Sequence, residues 1–192
     1  MFRSILSDIS KSVRDLSQIT SLKLGSETSF DPSMSLTRRL LSQLPKVNRL
    51  TISYKYLLYL LKSPLICRIL SKKIDSLTID FDNDLPVLPD IIRVLNVFSM
   101  KLRYLYFWIR GNFPSKIFAF ILPVIFGKLS EKFSGFELRL WHRIQGRTQT
   151  FDDQFKQRLK ACLTAQLARK EASSHAMEYR IKDNELLIRF ES

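Results

Sequence analysis

One apolar pattern, h-x-x-h-x-h with h an apolar residue, recurs five times along the chain. It reads as Ile19-Leu22-Leu24, Val47-Leu50-Ile52, Ile74-Leu77-Ile79, Leu102-Leu105-Phe107 and Phe133-Phe136-Leu138. The middle residue returns after 28 residues from Leu22 to Leu50, then 27 to Leu77, 28 to Leu105 and 31 to Phe136. A register kept at such a period is the mark of a repeat architecture, in which each unit buries its apolar face against its neighbours.

Between the patterned stretches the apolar spacing is helical. Ile5, Leu6, Ile9, Val13 and Leu16 form a first set and Leu36, Leu40, Leu41 and Leu44 a second. Tyr56 to Leu61 is a third helical piece, after which Ser63-Pro64 can open another, because proline is well tolerated at the first helical position. Ile91, Ile92, Leu95 and Phe98 follow, then Ile117 to Leu129 with a kink expected at Pro123. Short strands joined through helices must pair in parallel, by crossovers that are nearly always right-handed. The spacing therefore predicts an α/β solenoid of about five helix-strand repeats over residues 1 to 141, strands on the concave side. Residues 142 to 192 are expected to be an atypical last repeat and an irregular C-terminal cap of the same single domain. There Asp152 to Lys170 reads as an amphipathic helix, and Met177 to Lys182 and Leu186 to Phe190 as two strands around an Asp183-Asn184 turn.

The h-x-x-h-x-h units, at a period close to the leucine-rich range of roughly 20 to 29 residues, resemble leucine-rich-repeat proteins of the ribonuclease-inhibitor-like type. They are similar in particular to the repeat region of F-box proteins, over residues 5 to 140. The resemblance implies a right-handed leucine-rich-repeat solenoid that recognises a protein partner, as the repeats of F-box proteins read substrates for ubiquitin ligases. The consensus asparagine or cysteine would fall at Glu27, Lys55, Asp82, Arg110 and Trp141, so no asparagine ladder is expected. The first strand begins by Ile19, which leaves no room for a preceding F-box module.

Side chains alternate across a strand. With the patterned residues turned inward, the outward positions are Ser21 and Lys23; Arg49, Thr51 and Ser53; Ser76, Thr78 and Asp80; Tyr104, Tyr106 and Trp108; and Gly135, Glu137 and Arg139. Tyr, Trp and Arg are the residue types that dominate interface energetics. A protein contact is accordingly expected on Arg49, Asp80, Tyr104, Tyr106, Trp108, Glu137 and Arg139. The competing reading is that aromatics simply suit strands, or that the loop after Trp108 or the C-terminal segment covers them.

A formal charge of +13, from 31 Lys and Arg against 18 Asp and Glu, favours an acidic partner. Part of it has a structural use. Lys46, Lys72 with Lys73, Lys101 and Lys132 stand where helices end, and cations there complement the negative ends of helix dipoles. An alternative site is the basic stretch 139 to 170, where Arg143, Arg147, Lys156, Lys160, Arg169 and Lys170 could meet nucleic acid; a solvated helix face is the competing reading.

No catalytic or phosphate-binding motif is present, so no enzyme activity, cofactor or metal is expected. Asp80, Asp82 and Asp84 mimic the start of a calcium loop, but Leu85 and Ile91 stand where its glycine and bidentate glutamate belong. Cys67 and Cys162 form no C-x-x-C pair and there is no N-x-[ST] sequon, which predicts an intracellular protein, cytoplasmic or nuclear. The apolar runs are too short or too interrupted to cross a bilayer, which takes about 20 residues.

Overall fold

The computed structural model describes residues 16–25, 33–82, 86–98, 101–110, 136–144, 147–148, 177–182 and 185–190, together with 153, 156–158, 160–161 and 164–165. After a short 3-10 turn at Leu16–Gln18, strands and helices alternate: β1 (Ser21–Leu24), α1 (Met34–Gln43), β2 (Arg49–Ser53), α2 (Tyr54–Leu60), α3 (Pro64–Lys73), β3 (Ser76–Asp82), α4 (Leu88–Phe98) and β4 (Tyr104–Arg110). Then come β5 (Phe136–Ile144), β6 (Arg147–Thr148), β7 (Met177–Lys182) and β8 (Glu185–Phe190). The first expected helix and the Ile117 to Leu129 helix lie outside the described residues.

Strands β1 to β5 pair in parallel in chain order, giving a mixed α/β fold with helices between parallel strands. The register carries the apolar pattern straight across the sheet: Leu22, Leu50, Leu77 and Leu105 are mutual partners, and so are Leu24, Ile52, Ile79 and Phe107. The fifth unit departs from expectation. Leu105 pairs with Leu138, not with Phe136. The shift is two residues, the period of a strand, so Glu137 and Arg139 keep the face the sequence assigns them.

Strand entry is set by a repeated backbone device. The Thr20 carbonyl accepts from the amides of Asn48 and Arg49, that of Asn48 from Asp75 and Ser76, and that of Asp75 from Arg103 and Tyr104. Each strand is thereby started in register with the one before it. Asn48 adds a side-chain link, its Nδ2 donating to Asp75 Oδ2 at 3.0 Å.

The inward strand residues and one face of every described helix form a single core, including Leu41, Leu50, Ile52, Leu57, Ile66, Leu77, Ile79, Ile91 and Leu105. Phe81 sits at a register irregularity between Asp80 and Asp82. It is fully buried, with its ring 4.9 Å from Tyr54 and edge-on to Phe107 at 5.4 Å. The helix after β2 is broken as expected: Ser63 Oγ accepts from the Ile66 amide and Pro64 opens α3. Two polar links tie the helices together. Thr37 and Tyr56 share a buried hydroxyl hydrogen bond. The Tyr54 hydroxyl accepts from the Val87 amide and donates to Asp90 Oδ2, both at 3.0 Å, holding the start of α4.

Lys72 and Lys73 stand in the last turn of α3, and cations also serve the ends of helices earlier in the chain. Lys73 Nζ donates to the carbonyls of Leu41 and Leu44 at the end of α1, and Arg93 Nη2 donates to the Leu61 carbonyl just past α2 at 2.8 Å. Burial pulls the Lys73 ammonium below its ordinary value, while the two carbonyls favour its charged form. Lys46 instead donates to Gln18 Oε1 at 3.1 Å, and Lys132 lies outside the described residues.

The region expected to be a cap extends the sheet. Strand β8 pairs antiparallel with β5 and with β7, giving the order β1-β2-β3-β4-β5-β8-β7, and β6 also pairs with β5. The Asp183-Asn184 turn lies outside the described residues. Within 152 to 170 the described residues are helical, and Gln157, Arg158, Lys160, Ala161, Thr164 and Ala165 are exposed, as the polar face of the expected helix requires. No helix among the described residues is long and apolar enough to cross a membrane.

Gly25, at the end of β1, has φ +65°, and a Cβ there would lie 2.8 Å from Ser53 Oγ and 2.9 Å from Tyr56 Cβ. Gly25→Ala should destabilise the fold by about 1 to 3 kcal/mol in urea denaturation, through left-handed backbone strain and the clash with α2. Lys73→Met should cost about 1 kcal/mol, and Lys72→Met, at an exposed neighbour, under about 0.5 kcal/mol.

Candidate surface for partner recognition

Because the apolar side of the sheet is packed against helices, everything at alternate positions is carried on the other side. Among the described residues, no outward-facing strand residue belongs to the core cluster. Register then orders these residues in rows across the strands. One row runs Ser21, Arg49, Ser76, Tyr104 and Glu137; the next runs Lys23, Thr51, Thr78, Tyr106 and Arg139; a third holds Ser53, Asp80, Trp108 and Trp141. Antiparallel pairing extends them, with Arg189 opposite Glu137 and Glu178 opposite Arg189 in the first row.

Adjacent strands lie about 4.8 Å apart and alternate residues along a strand about 6.6 to 6.8 Å. The surface on β2 and β3 is therefore a low strip of Ser and Thr, bounded on one side by the taller aromatic row of β4. Tyr104 is 42% exposed, among the most open large side chains described, and Tyr106 and Trp108 are partly exposed. Both of the latter have polar or ring partners within the protein, so they are held rather than loose.

Six of the seven expected contact positions have described neighbours that locate them on this one face: Arg49, Tyr104, Tyr106, Trp108, Glu137 and, by register, Arg139. The seventh is corrected. Asp80 lies on the same face but is only 2% exposed. It sits between Ser53 and Trp108 in the register and has an interaction partner of its own. It belongs to the support of the surface, not to its contact area.

The alternative basic stretch is not gathered in one place by the described residues. Arg143 and Arg147 stand on β5 and β6, Lys156 pairs with Asp153 at 3.5 Å, Lys160 is exposed, and Arg169 and Lys170 lie outside the described residues. The rest of the positive charge is spread along the chain: between Leu16 and Arg110 it carries 14 Lys and Arg against 7 Asp and Glu. Three of those acids are withdrawn from solvent or bonded, Asp75 to Asn48, Asp90 to Tyr54, and Asp80 by burial. A count of charge by segment would have found this excess, although not which acids are occupied.

Among the described residues no group of three or more His, Cys, Asp or Glu could hold a metal ion. Cys67 Sγ donates to the Leu61 carbonyl at 3.5 Å, the same oxygen that accepts from Arg93. Burial pushes its thiol up from the ordinary value of 9.0, against the lowering effects of the Arg93 guanidinium and a backbone hydrogen bond. The thiolate is the reactive form. In a Cys162→Ser protein, Cys67 should therefore react with iodoacetamide at pH 8 several-fold more slowly than free glutathione; an equal rate would contradict the burial.

Comparison of the chain with models of known families, with curated proteins and with solved structures finds no match.

Proposed function

We propose that the protein is a non-catalytic recognition module that binds a protein partner through the sheet face carrying Tyr104, Tyr106 and Trp108. The observation that carries this reading is the position of the aromatic row: three large rings on an inner strand of the sheet, on the side away from the helices, with Tyr104 42% exposed. Aromatic rings at the centre of a surface supply large contact area at low cost in side-chain entropy. The same face as the concave side of a curved, right-handed leucine-rich-repeat solenoid would make this a divergent relative of such proteins, reading substrates in the manner of F-box repeats. The in-register Leu22-Leu50-Leu77-Leu105 row and the repeated strand-entry carbonyl support that assignment. An intracellular location, cytoplasmic or nuclear, goes with it.

A second reading, polyanion binding through 139 to 170, has exposed Arg158 and Lys160 in its favour. It requires binding to collapse between low and physiological salt, because displaced counterions dominate such contacts.

Affinity purification from the native cell, with the Tyr106→Ser/Trp108→Ser protein as control, tests the first reading. The double variant should lose its partner by at least ten-fold while keeping its circular dichroism spectrum. Tyr104→Ser, at a side chain outside the core, guards against the case in which the double variant unfolds and should itself weaken binding several-fold. Undiminished binding by Tyr104→Ser and by a folded double variant would reject the aromatic surface.

A further inference from the structure

Two cations flank the aromatic row on its β1 and β2 side. Lys23 and Arg49 are both exposed, and among the described residues neither side chain makes an ion pair or a hydrogen bond. The one carboxylate on their part of the face, Asp80, is buried. On the other side of the row, register places both signs: Glu137, Arg189 and Glu178 in line with Tyr104, and Arg139 and Arg180 in line with Tyr106. Uncompensated positive charge therefore lies on the β1 and β2 side of the aromatics.

The space between is narrow and flat. Arg49 and Tyr104 are separated in the register only by Ser76, and Lys23 and Tyr106 only by Thr51 and Thr78. At about 4.8 Å per strand these gaps are about 10 and about 14 Å, the width of one extended chain with its side chains. Along the strands, the two rows are about 6.6 to 6.8 Å apart, which is also the repeat of alternate side chains in an extended peptide.

We infer that the ligand of this face is an extended acidic peptide segment of a partner protein, lying over Ser76, Thr78 and Thr51. Its carboxylates meet Lys23 and Arg49, and its apolar side chains rest on Tyr104 and Tyr106. This rests on the protein-recognition reading above and adds the chemistry of the partner. A nucleic-acid strand fits less well. A base stacked on Tyr104 has the Glu137 carboxylate directly opposite in the next strand, whereas a peptide can place its carboxylates at Lys23 and Arg49.

The test is selection of twelve-residue peptides from a random display library on the full chain, followed by fluorescence anisotropy of the synthesised winners. Selected peptides should carry net negative charge with interspersed apolar residues. Lys23→Glu/Arg49→Glu should weaken them at least 30-fold, Lys23→Gln/Arg49→Gln less, and Tyr104→Ser several-fold, with thermal melting unchanged. Neutral or basic winners, or winners indifferent to the Lys23/Arg49 charge reversal yet weakened by Tyr104→Ser, would overturn the acidic ligand and leave the aromatic surface standing. Winners indifferent to both sets of variants, or a uridine dodecamer bound more tightly than any peptide, would overturn both.

Discussion

The structure depends on one constraint, the register of parallel pairing from β1 to β4. Each strand begins where the preceding unit offers a single carbonyl, Thr20, Asn48 or Asp75, to two successive amides of the next. Once that start is set, Leu22, Leu50, Leu77 and Leu105 must lie side by side, and burial of such side chains is worth about 1.5 to 3 kcal/mol each. A slip of one residue would turn this whole row to solvent. A slip of two, as at Leu138, costs the inward face nothing.

From that register both faces follow. The inward rows demand helices to cover them, and the helices are then joined by the few polar links that burial allows: Thr37 with Tyr56, Tyr54 with Asp90 and the Val87 amide. The outward rows are released from core packing and can hold what recognition requires. That Ser and Thr occupy β2 and β3 while aromatics occupy β4 is thus a choice the core does not impose. Cations are divided in the same way. Lys73 and Arg93 are turned to neighbouring helix ends, whereas Lys23, Arg49 and Arg103 are left to the surface.

Much of this was legible in the chain because it is local and periodic. Helical spacing marks α1 and α4, the Ser63-Pro64 pair marks the break before α3, and alternation marks β7 and β8. The fifth unit was misjudged by two residues because Phe133-Phe136-Leu138 satisfies the apolar pattern as well as its neighbours do, and a pattern cannot report its partner strand. Asp80 was misjudged for a related reason. Alternation says which side of the sheet a residue takes, but exposure on that side depends on the neighbours that folding brings beside it, here Ser53 and Trp108.

By itself, then, the sequence determined that short apolar strands alternate with helices at a nearly constant period, and which residues share a strand face, since both follow from side-chain periodicity along a single chain. Only the tertiary structure decided which cations stay unpaired, which carboxylate is buried, and that β8 closes on β5 so that β5 is not an edge of the sheet. Those are properties of neighbours distant in sequence. They are set by the competition for partners among groups that only folding brings within about one strand spacing of each other.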